Sequence, residues 1–280
     1  MAVWGPGASP RTTAPLIDAE PVDRPEKPPH RWWDIVVLPV FASVLLVALA
    51  VGGIALALQF GFGPPGDPLA DMARFAAWAV ADPVILNVGN MLGYALLVFM
   101  LMLLLAWRGF TLRRAHFSVF GVGAVVVAVL CGALLALFIM QVIEFLPRET
   151  LNEIEALESQ IMPDTVAGIV AFAILAVAFA PFAEELYFRG VVLPVLARRL
   201  RFAAAAVISS AFFSVIHGHL FLLGGIGGWA LAGAIFTVGL ALACAARWSG
   251  ALYAPVAMHA AYNATLFAPA VMMLVAGDQT

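Results

Sequence analysis

The sequence predicts an all-α protein, a polytopic transmembrane helical bundle with about seven spans, within a range of six to eight. Of its 280 residues, 64% are hydrophobic and 11% are charged, whereas an average soluble chain carries about 25% charged residues. Apolar stretches of about 20 residues, the length that a helix needs to cross a bilayer, recur along the chain. A helix closes its backbone hydrogen bonds within its own segment, so each stretch is predicted to be helical.

Residues 1–34 are predicted to be a disordered, proline-rich cytoplasmic tail, because prolines and mixed charges leave too little apolar surface to offset the entropy of ordering. The first apolar run begins at Ile35 and is too long for a cleavable signal peptide. Residues 35–280 are therefore predicted to form one transmembrane helical domain. Its expected spans are 35–59, 84–106, 118–143, 165–197, 202–222, 229–246 and 251–276.

The distribution of basic residues predicts the orientation, because positively charged loops stay in the cytoplasm. With the N-terminus inside and the C-terminus outside, the outer loops hold only Arg74 and Arg148, and the loop at 144–164 is acidic. The inner segments hold Arg11, Arg24, Lys27, Arg31, Arg108, Arg113, Arg114, Arg198, Arg199, Arg201 and Arg247. A net charge of -3 and the lack of a basic patch argue against nucleic acid as a partner.

Charged residues interrupt the fourth predicted span. An ionisable side chain near the bilayer centre costs about 2.5 to 3.5 kcal/mol and is functional by default. Glu185 and Arg189 are one helical turn apart on one face, in the favourable orientation for an ion pair. Glu184 points about 100° away from that face, so we expect it to face a cavity formed with other helices. Pro181 removes a backbone donor one turn earlier and can open the helix there.

Polar residues in the fifth and seventh predicted spans complete a chemical set. His217 follows Phe213 by one turn, and His259 and Asn263 share one face by the same spacing. With Glu184, two imidazoles and a carboxamide supply what amide hydrolysis needs: a base for water, an acid for the leaving amine and donors for the oxyanion. Two other functions stay open. One is a proton-coupled transporter, since Glu and His chains relay protons; the other is a non-catalytic scaffold or immunity protein that binds a partner.

Three motifs, Glu-Glu-x-x-x-Arg at 184–189, Phe-x-x-x-His at 213–217 and His-x-x-x-Asn at 259–263, follow one another on successive apolar segments. In this order they resemble the CPBP family, which comprises CAAX prenyl endopeptidases of the Ras-converting type and bacterial relatives linked to bacteriocin processing and self-immunity. The resemblance covers about 165–270. It implies an intramembrane endopeptidase in the bacterial inner membrane, whose partners are the lipid bilayer and membrane-embedded or membrane-associated peptide substrates.

The resemblance also implies a role for each residue of the set. Glu184 would activate the attacking water with help from His217, while His259 and Asn263 would stabilise the tetrahedral oxyanion. The supporting residues would be Glu185, Arg189 and Phe213.

Metal dependence stays open at this point. Two histidines, one glutamate and a water can complete a four-coordinate zinc site, for which the ligands would be Glu184, His217 and His259. The His-x-x-x-Asn pairing slightly favours a metal-free glutamate mechanism, because Asn is a natural oxyanion donor and a poor zinc ligand. The chain has no His-Glu-x-x-His motif.

Three further polar residues are not expected to take part in the chemistry. His219 lies two residues beyond His217, about 200° around a helix, so the two cannot share a face unless the helix breaks at Gly218. We expect His219 to be a loop or lid residue. Asn87 and Asn90 share a face of the second span and are expected to hydrogen-bond to another helix.

Overall fold

The computed structural model describes residues 28–59, 73–77, 81–117 and 121–277. All regular elements in these ranges are helices, as the sequence predicted. Most of the predicted tail, residues 1–27, lies outside the described residues. Residues 28–33 precede the first helix, and His30 among them is buried against the bundle.

Residues 73–77 are helical, and ten further helices lie in the described part of the chain. They are α1 (Asp34–Gln59), α2 (Pro83–Trp107), α3 (Leu112–His116), α4 (Val122–Ile143), α5 (Arg148–Ile161), α6 (Val166–Ala197), α7 (Phe202–Ile216), α8 (His219–Leu222), α9 (Gly225–Ser249) and α10 (Tyr253–Gly277). Five of them, α1, α2, α4, α6 and α9, are long and apolar enough to cross a membrane, and α7 is a shorter apolar helix. The chain is therefore an integral membrane helical bundle.

The fifth predicted span, 202–222, is not one continuous helix. Helix α7 ends at Ile216, and Gly218 follows with φ of +77°. This left-handed conformation is common just past a helix C-terminus and is disfavoured for residues with a Cβ. The chain then starts the short helix α8 in a new direction. The break gives His217 and His219 an orientation that a continuous helix would not allow.

Helix α6 contains two turns of π-helix, at Leu175–Phe179 and Phe188–Val192. In the first of these, the Ala180 N–H bonds the Leu175 carbonyl, five residues back. The next residue is Pro181, which has no N–H and cannot continue this pattern to the Ala176 carbonyl. The α-helical segment between the two π turns, Ala180–Tyr187, carries Glu184 and Glu185.

Hydrogen bonds between distant parts of the chain bring together the start of α1, the end of α2, the end of α6 and the start of α10. They join Arg108 Nη1 to Asp34 Oδ2 at 2.6 Å, Arg198 Nη2 to the His30 carbonyl at 2.8 Å, and Leu252 N to the His116 carbonyl at 3.0 Å. We call this the arginine-rich end, after Arg31, Arg108, Arg198 and Arg247.

The opposite end of the bundle contains α5 and the starts of α2, α6 and α9. Gly168 at the start of α6 lies beside Pro83 of α2, and a Cβ on Gly168 would stand 3.4 Å from the Pro83 Cβ. Gly227 at the start of α9 lies under α5, where a Cβ would stand 3.3 Å from Thr150 Cγ2. We call this the α5 end.

Two helix pairs make the closest approaches in the bundle. Gly132 of α4 packs on the backbone of α10, and a Cβ there would stand 2.2 Å from the Met258 carbonyl oxygen. Gly239 of α9 packs on α7, and a Cβ there would stand 2.9 Å from Ser210 Cβ. Small residues allow such approaches between membrane helices. They hold α7 and α10, the helices of the two histidine motifs, close to the centre of the bundle.

Candidate active site

A cavity of about 950 Å³ lies between α1, α2, α6, α7 and α10, with α5 and α8 at its rim. Glu184, His217, His259 and Asn263 all line it. The structure therefore brings the four predicted residues, which come from three different helices, to the wall of one cavity.

The two carboxylate oxygens of Glu184 face different residues. The Tyr94 hydroxyl of α2 donates a hydrogen bond to Glu184 Oε1. The other oxygen, Oε2, lies 3.9 Å from His259 Nε2. Tyr94 was not predicted from the sequence, although its position four residues after Asn90 places both on one strip of α2, and both line the cavity.

Behind the cavity wall, Glu185 accepts two hydrogen bonds on one oxygen. Arg189 Nη1 lies 2.8 Å from Glu185 Oε1, as the one-turn spacing predicted, and His259 Nδ1 lies 3.0 Å from the same atom. Both Glu185 and Arg189 are buried. Arg189 also donates from Nη2 to the Gly239 carbonyl at 2.9 Å, which ties α6 to α9.

The contact with Glu185 sets the proton on His259. An ionised carboxylate only accepts hydrogen bonds, so His259 Nδ1 carries the proton in this network. Its other nitrogen, Nε2, faces Glu184. His259 therefore connects a buried, charge-balanced carboxylate to the carboxylate at the cavity wall, and can accept or return a proton at Nε2.

His217 is oriented by the end of its own helix. Its Nδ1 lies 2.7 Å from the Phe213 carbonyl, one of the last acceptors of α7. A carbonyl only accepts, so Nδ1 donates and Nε2 is the nitrogen without the proton. Phe213 fills the space between the site histidines, with ring centroids 4.6 Å from His217 and 5.8 Å from His259. The Arg189 guanidinium carbon lies 4.7 Å from the Phe213 ring centroid.

Asn263 makes a contact that the sequence did not indicate. Its Nδ2 donates to the Ala176 carbonyl at 2.7 Å. This carbonyl lies in the first π turn, where Pro181 leaves it without its backbone donor. Asn263 thus uses one amide hydrogen to satisfy the irregular turn of α6, one helical segment before Glu184.

Of the three polar residues outside the predicted set, two line the cavity and one hydrogen-bonds within α2. His219 lines the cavity, and its ring stacks at 6.4 Å and 18° on the ring of His217, because the chain breaks at Gly218. Asn90 also lines the cavity. Asn87 was expected to bond another helix, but its Nδ2 donates to the Pro83 carbonyl within α2 at 2.7 Å.

The predicted metal ligands do not form a cluster. Among the residues that the structure describes, no three His, Cys, Asp or Glu side chains stand close enough together to hold one ion. Glu184 and His259 approach each other, but His217 does not complete a three-ligand set with them. Glu184 and His259 alone are fewer than the three protein ligands that a catalytic zinc ion usually has.

These features define an integral membrane protein with an acid–base centre inside the bundle. In keeping with this, residues 166–265 match the family model described as Type II CAAX prenyl endopeptidase Rce1-like. The match confirms the resemblance to the CPBP family. It supports intramembrane protease activity in general and, with it, substrates associated with the membrane. No curated protein and no solved structure matches the chain.

Proposed function

We propose that this protein is an intramembrane endopeptidase in which Glu184 activates a water molecule without a metal ion. The observation that carries the proposal is the environment of Glu184. One carboxylate oxygen is fixed by Tyr94 and the other faces His259 Nε2 at 3.9 Å, at a cavity large enough for a peptide segment. A general base needs to reach both water and the group that later receives its proton.

In the first step, Glu184 takes a proton from water while the water oxygen attacks the peptide carbonyl carbon. The carbonyl oxygen becomes an oxyanion. His259, which has taken a second proton from solvent at Nε2 before the attack, donates Nε2–H to this oxyanion, and Glu185 stabilises the imidazolium from behind through Nδ1. This use of a buried carboxylate to orient and stabilise a histidine is the logic of catalytic triads.

In the second step, the carbon–nitrogen bond breaks and the leaving amine takes the proton that Glu184 received. Asn263 uses one amide hydrogen on the Ala176 carbonyl, and its second amide hydrogen is suited to the oxyanion. His217 lines the same cavity with Nε2 unprotonated, which suits it to position the attacking water. The free acid and the free amine are the products.

The proposal is tested by comparing purified wild type with Glu184→Gln in detergent, on a fluorogenic peptide library, with and without a chelator. A general base contributes about 10²- to 10⁴-fold, so the variant should lose at least about a hundredfold in kcat. The chelator should have no effect. The matched control is Glu153→Gln on α5, a residue outside the cavity, which should retain wild-type cleavage.

Two outcomes would contradict the proposal. Activity lost with chelator and restored by Zn²⁺ would assign the chemistry to a metal. No cleavage by wild type that is folded, as judged by its unfolding transition, would favour the transporter or the scaffold function instead.

A further inference from the structure

The cavity is closed toward the arginine-rich end of the bundle. Below Glu184, the buried residues Leu101, Leu105, Leu186 and Leu252 form a continuous apolar layer. Beneath this layer lies a polar network, in which Arg108 pairs with Asp34 and His30 Nε2 lies 3.0 Å from His116 Nε2. No path of cavity-lining residues crosses these two layers in the described part of the chain.

The cavity instead extends toward the α5 end. Its wall continues from Glu184 through Ala180 and Ala176 to Phe172 along α6, roughly 18 Å of helix. At the rim it is lined by Glu158 of α5 and by His219 of α8. Glu158 is exposed at the surface. The lining residues thus trace a route from the surface at α5 to Glu184.

The two ends of the bundle differ in charge. The arginine-rich end carries Arg31, Arg108, Arg198 and Arg247, whereas the described segments at the α5 end carry the acidic helix α5. Since positively charged loops stay in the cytoplasm, the α5 end is the extracytoplasmic side. A substrate that follows the route beginning at α5 therefore reaches Glu184 from outside.

The Asp, Glu, Lys and Arg side chains that line the cavity in the described residues are all acidic. Glu158 and Glu184 line it, and no Lys or Arg does so in the described residues. Arg189 lies behind the wall and is neutralised by Glu185. Partial burial, and then the charge of Glu155, raise the pKa of Glu158, as expected for a carboxylate in a negative, partly enclosed environment. A free C-terminal carboxylate, as on a CAAX tail, would find no Lys or Arg side chain among the described residues that line this cavity.

We propose that the cavity takes cationic peptide segments, which carry a Lys, Arg or free amino group near the scissile bond and enter from the extracytoplasmic side past Glu158. That these segments are cleaved as substrates rests on the proposed function. The entry side and the sign of charge do not, because both can be measured at a cysteine in the cavity without any cleavage.

The entry side is tested with Ala180→Cys, which places a small thiol in the cavity wall one turn before Glu184. The background is Cys131→Ala and Cys244→Ala, which removes the natural thiols. A membrane-impermeant cationic methanethiosulfonate reagent should label this cysteine in right-side-out spheroplasts and not in inside-out vesicles. The control Arg201→Cys, at the arginine-rich end, should show the reverse. Labelling of Ala180→Cys only in inside-out vesicles would overturn the entry route.

The sign of charge is tested on the same cysteine by the ratio of its labelling rates with cationic and anionic methanethiosulfonates. Glu158→Gln should lower this ratio at least about twofold, because removal of one negative charge weakens the attraction of the cationic reagent and the repulsion of the anionic one. Glu153→Gln, on α5 but outside the cavity, should leave the ratio unchanged. An equal ratio with and without Glu158 would overturn the charge selection.

Cleavage then separates this inference from the proposed function. If folded wild type cleaves no peptide while the labelling pattern holds, the protease function fails and the cavity's entry side and charge stand. If wild type cleaves matched peptides with Lys and with Glu beside the scissile bond equally well, the protease function stands and the cationic preference is wrong.

Discussion

Glu184 and Glu185 are neighbours in the chain, and we predict that the same change, Glu to Gln, has opposite consequences at the two positions. Glu185→Gln should destabilise the protein strongly. Glu184→Gln should leave its stability nearly unchanged and remove its activity. Successive side chains point about 100° apart around a helix, so the two carboxylates lie in different surroundings.

The magnitudes follow from burial and partners. Glu185 is 0% exposed and balances the charge of Arg189, which is 2% exposed. Removal of one partner from a buried ion pair costs about 3 to 5 kcal/mol, because the other charge is left uncompensated. Glu184 is 9% exposed at the cavity, and a Gln oxygen can still accept from Tyr94. Its replacement should therefore change the free energy of unfolding by less than about 1 kcal/mol.

The free energy of unfolding can be measured by reversible SDS titration in mixed micelles, and activity by hydrolysis of a fluorogenic peptide. The double variant Glu185→Gln, Arg189→Met removes both charges and should be more stable than the sum of the two single effects predicts, by at least about 1 kcal/mol. Two results would contradict this prediction: strictly additive changes in the free energy of unfolding in the double variant, or an equal loss of stability from Glu184→Gln and Glu185→Gln.

Three further predictions concern other parts of the molecule. Tyr94→Phe removes a hydrogen bond to a carboxylate, worth about 1.5 to 3 kcal/mol, and should lower kcat about ten- to a hundredfold with little change in KM; an unchanged kcat would show that the contact does not position the base. Gly218→Ala places a Cβ at φ of +77° and should cost about 1 to 2 kcal/mol, whereas Gly233→Ala, in open space on α9, should cost nothing; SDS titration compares the two. Burial lowers the pKa of His30 to about 4 and that of His116 to about 3, so below pH 6.5 the unfolded chain binds protons that the folded protein does not. The free energy of unfolding should fall from pH 6.5 toward pH 4 by up to about 1.4 kcal/mol per pH unit for each histidine, and His116→Gln should flatten that slope; an equal slope in wild type and variant would contradict this.

The sequence predicted well those features that depend on local spacing. The pairing of Glu185 with Arg189 and the divergence of Glu184 follow from helix geometry alone, and the distances agree. The motif order also led to a resemblance that the family-model match at 166–265 supports. The roles given to His217, His259 and Asn263 stay predictions until activity is measured.

Spacing could not reveal contacts that arise from breaks in regular structure. Asn263 contacts Ala176 because a π turn and Pro181 leave a carbonyl without its donor. His219 reaches the cavity because Gly218 turns the chain. A helical wheel assumes that each helix is regular and unbroken, so it cannot predict either contact.

The apolar segments alone place this chain in a membrane as a helical bundle, because lipid requires long apolar segments whose backbone hydrogen bonds close internally. The sequence also identifies the ionisable side chains within the spans, whose burial in lipid is costly and therefore indicates a function. Three features are visible only in the folded protein: Tyr94 holds Glu184, Glu185 orients His259, and the cavity reaches the surface beside α5. Those features depend on how distant helices rotate and pack against one another, which the order of residues along one helix does not specify.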